Sequence, residues 1–406
     1  MADFPKLLVA TEFPPNASGG GPAVVRQMLA GYPTDRLSWW SVRSDSNKKF
    51  GQNVGAHRVA RLPEKLYPYR RLPVLKSGIL ENFWAPWAAR HLRKTIEDLK
   101  PEAIWIIPHD WSIFPLAGAL LGNGDQFHCS IHDYVGIHDQ PRRFGANRCE
   151  RMAGLVDQLY VQADTRDAIC QPMAEDLERR TGAKADQIAR AGVEPEDFAL
   201  LEKGGALSTQ QGVRIAYAGS ILVPEVFRFF VEALNLARLK LKALLTLELF
   251  GAHSHRNETW FESSWMHERG NLTEPDLKKA LRECHWGFVP MSLRDDEPRY
   301  NRISFPTKYV SCLATGLPTI VLAHEATSVA KIARAYATGF YSGTSNREDL
   351  AAQLKVVLSE ANPREKFRNA LLNCARKEFD ATQMRKGFLE CLSRVAKSQV
   401  LPSTHL

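Results

Sequence analysis

The sequence lacks a hydrophobic run that could cross a membrane, since no window holds about 18 apolar residues in a row. We therefore expect no transmembrane helix. The opening residues, MADFPKLLVATEF, carry an acid at Asp3 and an apolar stretch only as long as a strand. This pattern argues against a secretory signal peptide, and we expect a cytoplasmic protein.

Paired cysteines and metal-ligand spacings are also missing. The seven cysteines are odd in number, scattered and without C-x-x-C spacing, which excludes a disulfide or zinc framework and is typical of a reducing cytosol. Two histidine pairs, His253 with His255 and His128 with His132, have no third ligand at a fitting spacing. The G-x-S-x-G motif of a serine nucleophile is absent. We therefore expect no metal and no cofactor.

The sequence also has no excess of acidic residues. Its 53 Lys and Arg outnumber its 45 Asp and Glu, which gives a net charge of +8. Such a balance fits nucleic acid, an anionic membrane surface or phosphate-bearing substrates. The cations are dispersed and no nucleic-acid motif is present. We therefore favour the last two classes of partner and expect no nucleic acid.

What is present is an alternation of short apolar runs with helical patterns along the whole chain. This alternation predicts an α/β protein with parallel sheets that helices cover on both faces. The predicted strands are 6–11, 37–42, 56–62, 103–107, 127–132, 159–161, 188–191, 213–218, 245–250, 286–290 and 319–323. A helix is expected over 163–182, with Asp164 or Thr165 as its cap.

The pattern restarts after residues 201–211, LEKGGALSTQQ, a polar, Gly-bearing stretch that is typical of a linker. We therefore predict one Rossmann-like domain over 1–205 and a second over 206–375. A helical tail follows over 376–406, and packing of this tail on the first domain is one option. Ligands are expected in the crevice at the carboxyl ends of the strands.

The stretch 304–323, SFPTKYVSCLATGLPTIVLA, predicts a short helix, a tight turn and a buried strand. Pro306 suits the first helical position, and Ser304 or Phe305 would then be the cap. Gly316 follows the last helical residue, where a left-handed conformation favours glycine. The alternative is an ordinary helix, turn and strand without a ligand.

Two stretches could hold an anion. The N-terminus of the helix in 304–323 combines free amides, the positive end of the helix dipole and the ammonium of Lys308. In the loop EFPPNASGGGP, Gly19, Gly20 and Gly21 would let backbone amides approach a ligand closely. This loop is not G-x-G-x-x-G, so we interpret it as a flexible loop at a cleft rather than a dinucleotide fingerprint.

Residues 63–101 mix aromatic and cationic side chains. This mixture is typical of a membrane interface or of a site for a lipid-linked substrate. The alternative is a core helix with aromatic residues facing inward and cations facing water. Pro86 is expected to interrupt the helical pattern near its middle.

Five pieces, in order along the chain, resemble the nucleotide-sugar glycosyltransferases of GT-B architecture, and most closely the retaining "glycosyl transferases group 1" (family 4-like) enzymes. They are Gly19–Gly21, HDY at 132–134, AGVEPEDF at 191–198, IAYAGS at 215–220 and FPTKYVSCLATGLPTIV at 305–321. The last is similar to the family signature of helix, A-x-G-x-P and strand. The resemblance implies two facing Rossmann-like domains with a cleft between them and C-terminal helices, the first domain binding the acceptor and the second the donor.

Several positions depart from the family pattern. Ile303 and Ser311 stand where the family commonly has two Glu, so Ser311 offers the donor ribose at most one weaker bond. Ser220 replaces the usual Arg, and the usual Lys that follows it has no counterpart. A variant signature with S-x-P-[ST]-K before the helix is familiar among polysaccharide-type members, and residues 304–308 resemble it. The diphosphate charge would then fall to cations in and before this loop, Arg299, Arg302 or Lys308.

The resemblance implies transfer of a sugar from a nucleotide-diphosphate sugar to a glycan or lipid-linked acceptor in cell-surface glycan or polysaccharide biosynthesis. It implies retention and independence of metals, with a peripheral contact at the inner face of the membrane as an option. Two other hypotheses stay open. One is a nucleotide-sugar epimerase on the same fold, which would need paired carboxylates, and the other is a catalytically degenerate sugar-nucleotide-binding partner protein.

The resemblance assigns to His132 the role of orienting the sugar or stabilising the developing cation. An inverting enzyme would need a general base, for which Asp133, Asp110 and His109 are candidates. The expected donor-binding residues are Gly20, Gly21, Gly219, Ser220, Arg302, Ser304, Phe305, Pro306, Thr307, Lys308 and Ser311.

Two further stretches carry weaker expectations. Asp295, Asp296 and Glu297 could bond sugar hydroxyls, or could belong to a solvated loop. Contact with the donor base is expected around residues 266–270.

Overall fold

The computed structural model describes residues 4–17, 19–44, 52–67, 72–133, 135, 140–205, 207–241, 244–294 and 302–398. Contacts divide the chain into unit 1, Met1–Arg190 with Gln383–Leu406, and unit 2, Ala191–Thr382. The domain ranges that the sequence suggested remain predictions. Within the described residues, no helix is both long and apolar enough to span a bilayer.

Unit 1 is built on a parallel sheet, which has seven strands in the described ranges in the order β3-β2-β1-β4-β5-β6-β7. The strands are β1 (Leu7–Thr11), β2 (Leu37–Ser41), β3 (Ala56–Val59), β4 (Ala103–Ile107), β5 (Phe127–Ile131), β6 (Thr165–Ala168) and β7 (Gln187–Ile188). The strand order reverses between β1 and β4. The carboxyl ends of these two strands therefore form the switch point at which open α/β sheets bind ligands.

Unit 2 is built on a second parallel sheet, with six described strands in the order β10-β9-β8-β11-β12-β13. The strands are β8 (Val213–Ala218), β9 (Leu245–Phe250), β10 (Met266–Gly270), β11 (Trp286–Pro290), β12 (Thr319–Leu322) and β13 (Gly339–Ser342). Here the order reverses between β8 and β11. Both β11 and β12 are buried along their whole length, as their continuous apolar runs predict.

Helices connect the strands of both sheets. In chain order they are α1 (Gly20–Met28), α2 (Pro73–Ile79), α3 (Ala85–Leu99), α4 (Ile113–Leu120), α5 (Gln140–Phe144), α6 (Ala146–Gln162), α7 (Gln171–Thr181), α8 (Pro195–Lys203), α9 (Pro224–Arg238), α10 (Glu274–Arg282), α11 (Thr307–Ala314), α12 (Ser328–Tyr336), α13 (Arg347–Leu358), α14 (Pro363–Glu378) and α15 (Ala381–Ser398). Most of α15 belongs to unit 1, where Phe388 packs on Trp105 of β4 with ring centroids 4.4 Å apart.

The single helix expected over 163–182 is wrong, because β6 occupies its first part and α7 only the rest. The side chain of Asp164 does not cap a helix but accepts a bond from the amide of Phe127 at 2.9 Å. Thr165 and Asp167 are buried in β6, where both bond His128. Because Thr165 and Asp167 are polar, the sequence of this buried strand resembled the start of a polar helix.

The expected interruption at Pro86 is also wrong. A π-helical turn over Leu80–Trp84 joins α2 to α3, so that helix continues from Pro73 to Leu99. Pro86 lies in the first turn of α3, directly after this wider turn. A π turn changes the backbone pairing in the turn before the proline, where the ring would otherwise collide with a carbonyl group.

Candidate active site

The N-terminus of α11 lies at the carboxyl side of the sheet of unit 2, since α11 follows β11 in the chain. Pro306, with an extended ψ of 114°, is the residue before the helix, and no side chain caps this end. The expectation that Ser304 or Phe305 caps it with Pro306 inside the helix is therefore wrong. Gly316 has a φ of 64°, which confirms the left-handed end of this helix.

Ser304 and Phe305 are buried just before this N-terminus. The carbonyl group of Ser304 accepts a hydrogen bond from the hydroxyl group of Ser328 in α12. The Ser304 hydroxyl group meets no partner in the part of the chain that the structure describes. The ring of Phe305 stands edge-on to Tyr309, with centroids 5.8 Å apart. These contacts fix the path of the chain into α11.

The ammonium group of Lys308 lies over the residues that follow β8. Its Nζ donates to the hydroxyl group of Tyr217 at 2.8 Å and to the carbonyl group of Ser220 at 3.3 Å. It also lies 4.4 Å from the centroid of the Tyr217 ring, a cation–π distance. Within the described ranges Lys308 forms no ion pair, and burial lowers its pKa to about 8. The group is thus cationic at neutral pH and poorly compensated, a condition that favours an anionic ligand.

The turn after β8 offers a ligand few free hydrogen-bond donors. Gly219 has a φ of 97°, where a side chain would be strained, and its amide already donates to the carbonyl group of Phe250 at 2.7 Å. The carbonyl group of Ser220 accepts from the hydroxyl group of Tyr217 at 2.7 Å as well as from Lys308. The positive charge at this edge therefore comes from α11 rather than from the turn.

The remaining expected donor residues lie less centrally. Thr307 and Lys308 provide the first two amides of α11, and the Ser311 hydroxyl group donates to the carbonyl group of Thr307 at 3.5 Å. Arg302 is exposed before the helix. Sugar or phosphate contacts were also expected from four residues of the preceding loop. These residues lie outside the described ranges: Asp295, Asp296, Glu297 and Arg299.

A cavity of about 150 Å³ opens at the carboxyl ends of β8, β9 and β10. Its lining includes Tyr217, Gly219, Gly251, His255, Glu268 and Gly270. The carboxylate of Glu268 holds one wall, because it accepts from the amide of His255 and from the hydroxyl group of Ser254 at 3.1 Å. The His255 amide is the main cause that lowers the pKa of Glu268. Residues 266–270, where contact with a donor base was expected, form β10 and end at this cavity.

In unit 1, the three glycines form a helix start rather than a loop. Gly20 and Gly21 are the first two residues of α1, and Gly19 precedes them with a φ of 117°. The sequence analysis interpreted the whole stretch EFPPNASGGGP as a flexible loop, so the helix starts earlier than expected. Pro22 is compatible with the earlier start, since the amides of the first turn need no partner within the helix. The amides of Gly20 and Gly21 therefore stand at the positive end of a helix that follows β1.

Four residues at the carboxyl ends of β1, β4 and β5 form what we call the switch-point cluster: Glu12, His109, Asp110 and Asp133. The Nδ1 of His109 lies 2.7 Å from Oε2 of Glu12, and its Nε2 lies 3.7 Å from Oδ2 of Asp133. Burial opposes the charge on His109, but the negative charge of Asp110, the hydrogen bond with Glu12 and the charge of Asp133 raise its pKa to about 10. His109 is therefore an imidazolium ion at neutral pH.

Two arginines complete the charge balance of the switch-point cluster. Arg43 pairs with Glu12 at 2.6 Å, and Arg143 binds Asp110 through two nitrogens at 3.1 Å each. Asp110 has a φ of 41°, which is unusual for a residue other than glycine. Ligand atoms of Glu12, His109 and Asp110 lie within 4.8 Å of one another. The arrangement nevertheless does not fit a metal ion, because His109 is protonated and both acids already bind cations.

His132 follows β5 beside this cluster, and its side chain is buried. Burial lowers its pKa, so the imidazole is neutral, and its Nδ1 has no partner among the described residues. Asp133 is exposed and faces His109. The structure thus brings together Asp133, Asp110 and His109, which the sequence left as alternatives. The sequence analysis missed Glu12, Arg43 and Arg143, although an acid directly after a buried strand was a usable signal for Glu12.

No protein-family model matches the chain, and no curated protein matches it in sequence. Solved structures do match it in fold. Sucrose-phosphate synthase from Thermosynechococcus elongatus has a TM-score of 0.68 at 14% identity, covering 97% of this chain and 99% of that one. A glycosyltransferase from Rickettsia africae ESF-5 has a TM-score of 0.65 at 14% identity, covering 96% and 98%.

A trehalose-6-phosphate structure from E. coli, bound with UDP-2-fluoro glucose, has a TM-score of 0.64 at 14% identity and covers 95% of this chain and 98% of that one. At this level of identity the likeness shows the fold. The chain therefore has the GT-B fold of nucleotide-sugar glycosyltransferases, which confirms the fold that its sequence motifs implied.

Proposed function

We propose that this protein is a glycosyltransferase that moves a sugar from a nucleotide-diphosphate sugar to an acceptor, with retention and without a metal ion. The observation that carries the proposal is Lys308, a cation without an ion pair in the described ranges, at the uncapped N-terminus of α11. Breaking the glycosidic C–O bond leaves negative charge on the diphosphate. An ammonium group, free amides and a helix dipole stabilise such charge without reorganising during the reaction.

The cavity beside the turn at Gly219 is the proposed place of the nucleoside. It lies at the same sheet edge as Lys308, and Tyr217 belongs to both, since it lines the cavity and bonds Lys308. A nucleotide bound there would have its diphosphate toward the cation. The ligand UDP-2-fluoro glucose in the E. coli structure of the same fold supports a uridine diphosphate sugar as the first donor to test.

The switch-point cluster is the proposed acceptor site. Its carboxylates can accept hydrogen bonds from sugar hydroxyl groups, and the imidazolium ion of His109 can donate one. The neutral imidazole of His132 is proposed to orient the transferred sugar. We further propose a glycan or lipid-linked acceptor, a role in cell-surface glycan or polysaccharide biosynthesis, and a cytoplasmic location at the inner face of the membrane.

The decisive experiment is a panel of uridine, guanosine and adenosine diphosphate sugars, screened by thermal shift and then assayed for release of the nucleoside diphosphate. With the donor that responds, Lys308→Ala should lower kcat/KM by about 100-fold or more, since it removes a preorganised charge at the leaving group. Lys331→Ala, which removes an exposed lysine of α12 in the same unit, is the matched control and should be neutral. Binding of none of these donors, or an unchanged kcat/KM for Lys308→Ala, would contradict the proposal.

A nucleotide-sugar epimerase is the second candidate, because the switch-point cluster places carboxylate oxygens of Glu12 and Asp110 within 4.8 Å. Paired carboxylates are what proton removal and return at one carbon require. An epimerase would convert the donor to an isomer without any acceptor, and NMR of the donor pool distinguishes the two reactions. A degenerate binding partner, suggested by Ser220 and Ser311, would bind a nucleotide sugar and convert it in neither way.

A further inference from the structure

One helical surface of unit 1 exposes large apolar side chains in a row. We call it the docking stripe: Leu72, directly before α2, and Leu75, Ile79, Phe83 and Trp87, on α2, the π turn and α3. Their exposed fractions are 67%, 61%, 37%, 74% and 44%. Spacings of four residues place the last four on one side of the continuous helix, and Leu72 precedes it with a φ of 53°. With a helical rise of about 1.5 Å per residue, the stripe is on the order of 20 Å long. It is therefore a continuous apolar surface rather than a set of scattered single residues.

The opposite side of the same helix is firmly packed. Ser77 is buried and donates to the carbonyl group of Arg143 at 2.9 Å. Trp84 is buried against Trp111, with ring centroids 6.2 Å apart. The aromatic residues of this segment therefore divide into two sets, and the core-helix alternative accounts only for the inner one. The exposure of Phe83 and Trp87 is a property of a well-anchored helix, not of a loosely held end.

The charges nearest the apolar row are cationic. Arg90 and Lys94 are exposed and continue the row toward the end of α3 at the same spacing of three to four residues. Between residues 72 and 94 the sequence has a single acid, Glu81, and its carboxylate is occupied by Arg148 at 2.6 Å and by Arg151. The exposed acids Glu97 and Asp98 follow at the end of α3. An apolar row followed by two exposed cations matches the acyl and headgroup layers of a bilayer that contains anionic lipids.

We propose that the docking stripe binds the surface of an anionic lipid bilayer. Leu72 to Trp87 insert into the headgroup and acyl boundary, and Arg90 and Lys94 lie among the anionic headgroups. The stripe is on the outer side of the helix whose inner side supports the switch-point cluster, through Ser77, Arg143 and Asp110. Docking would therefore bring that cluster near lipids, which suits a lipid-linked acceptor. That last step rests on the proposed function, whereas the docking surface does not.

Vesicle flotation of the full chain tests the proposal without any sugar substrate. Wild-type protein should bind phosphatidylcholine vesicles with 30% phosphatidylglycerol at least about tenfold more tightly than pure phosphatidylcholine vesicles, and high salt should weaken the binding. The double variant Leu75→Ser/Phe83→Ser and the double variant Arg90→Glu/Lys94→Glu should each lower the affinity at least about tenfold. Both alter exposed side chains, and unfolding curves verify that the variants fold.

The matched control is Leu239→Ser/Val356→Ser, which removes two equally exposed apolar residues of unit 2, at 71% and 74% exposure. It should leave vesicle binding unchanged. Equal binding by the stripe variants and the wild type, or no preference for anionic vesicles, would overturn the proposal. So would a wild-type dimer in sedimentation velocity that Leu75→Ser/Phe83→Ser dissociates while vesicles remain unbound, because the stripe would then be an interface between copies. A failed glycosyltransferase assay would leave this result untouched.

Discussion

At the residue scale, Lys308 shows how a buried cation can cost stability. A lysine that loses water on folding prefers to be neutral, and the pKa of Lys308 is accordingly lowered to about 8 from an ordinary value near 10.5. The hydroxyl group of Tyr217 and the carbonyl group of Ser220 compensate this loss only in part. Because the folded pKa is the lower one, the protonated form opposes folding. This cost is present in full below pH 8 and disappears as the pH rises toward 10.5.

Replacing this lysine should therefore stabilise the free protein. We expect Lys308→Met to raise the free energy of unfolding at pH 7 by about 1 to 2 kcal/mol, a value that discounts the pKa shift for partial exposure. The gain should shrink as the pH approaches 10.5. Urea unfolding at pH 7 and at pH 10 measures both effects, with Lys331→Met as the exposed control. If Lys308→Met is less stable than the wild type at pH 7, the interpretation of Lys308 as an uncompensated cation is wrong.

The cluster in unit 1 shows the opposite case, in which neighbours fix a charge. Although burial opposes it, Asp110, Glu12 and Asp133 hold His109 protonated with a pKa of about 10. Its charge therefore does not change between pH 6 and 8. This interaction was hidden in the sequence, since 97 residues separate Glu12 from His109 and only the adjacency of β1 and β4 brings them together.

At the scale of elements, strands with a continuous apolar run could be predicted, and two edge strands without such a run could not. The runs at 103–107, 213–218, 245–250 and 286–290 coincide with β4, β8, β9 and β11, because strands buried on both faces are apolar throughout. The sequence analysis missed β10 and β13 at the two edges of the second sheet. Their residues are partly exposed and include polar side chains, so no continuous apolar run marks them.

The position of α11 depends on one arginine. The guanidinium group of Arg364 donates to carbonyl groups at the C-terminal ends of two helices, at 2.6 to 3.0 Å. They belong to Leu281 and Cys284 at α10 and to Thr315 and Gly316 at α11. Burial lowers the pKa of Arg364 to about 10, so it remains charged at neutral pH. A cation at the negative ends of two helix dipoles is stabilising, and its donors reach the carbonyl groups there. It thereby fixes the C-terminal end of the helix that presents Lys308.

Removing this guanidinium group should be costly. We expect Arg364→Met to lower the free energy of unfolding by about 2 to 4 kcal/mol, because buried carbonyl groups would lose charge-assisted donors. Arg364→Lys should recover only part of this loss, since an ammonium group cannot match the planar fork. Arg376→Met, which breaks an exposed pair with Glu202, is the control and should change stability by less than about 0.5 kcal/mol. Urea unfolding of the three variants decides, and a neutral Arg364→Met would contradict the assignment.

At the scale of the whole molecule, the sequence motifs predicted the fold but not the switch-point cluster. The alternation of strands and helices was sufficient to predict two parallel sheets. The signature at 304–323 was sufficient to predict the position of α11. The charge of Lys308 and the charges of the switch-point cluster differ in how the sequence encodes them. Lys308 lies within a recognisable motif, whereas the switch-point cluster assembles from the ends of three strands that the chain order separates. Strand order in the sheet, which no local pattern encodes, was therefore needed to find that cluster.

The last helix, α15, packs against the first sheet, in unit 1. Phe388 is fully buried and covers both Trp105 and His128, with ring centroids at 4.4 and 5.5 Å. His128 in turn bonds Asp167 and Thr165 of β6 at 2.8 Å each. Arg394 of the same helix pairs with Asp186 at 2.6 Å. The last helix thus seals a buried polar network, and stability of unit 1 should depend on residues near the C-terminus.

This dependence gives a test that separates the two units. We expect Phe388→Ala to destabilise unit 1 by about 3 to 5 kcal/mol, because it leaves a cavity over the His128 network, and Phe388→Leu to cost about 1.5 kcal/mol or less. Amide hydrogen exchange should show lost protection in β4 and β5 of unit 1, with β8 and β11 of unit 2 retained. Equal loss in both sheets would mean that the units unfold as one, and equal protection in the variant and the wild type would mean that α15 does not support the first sheet.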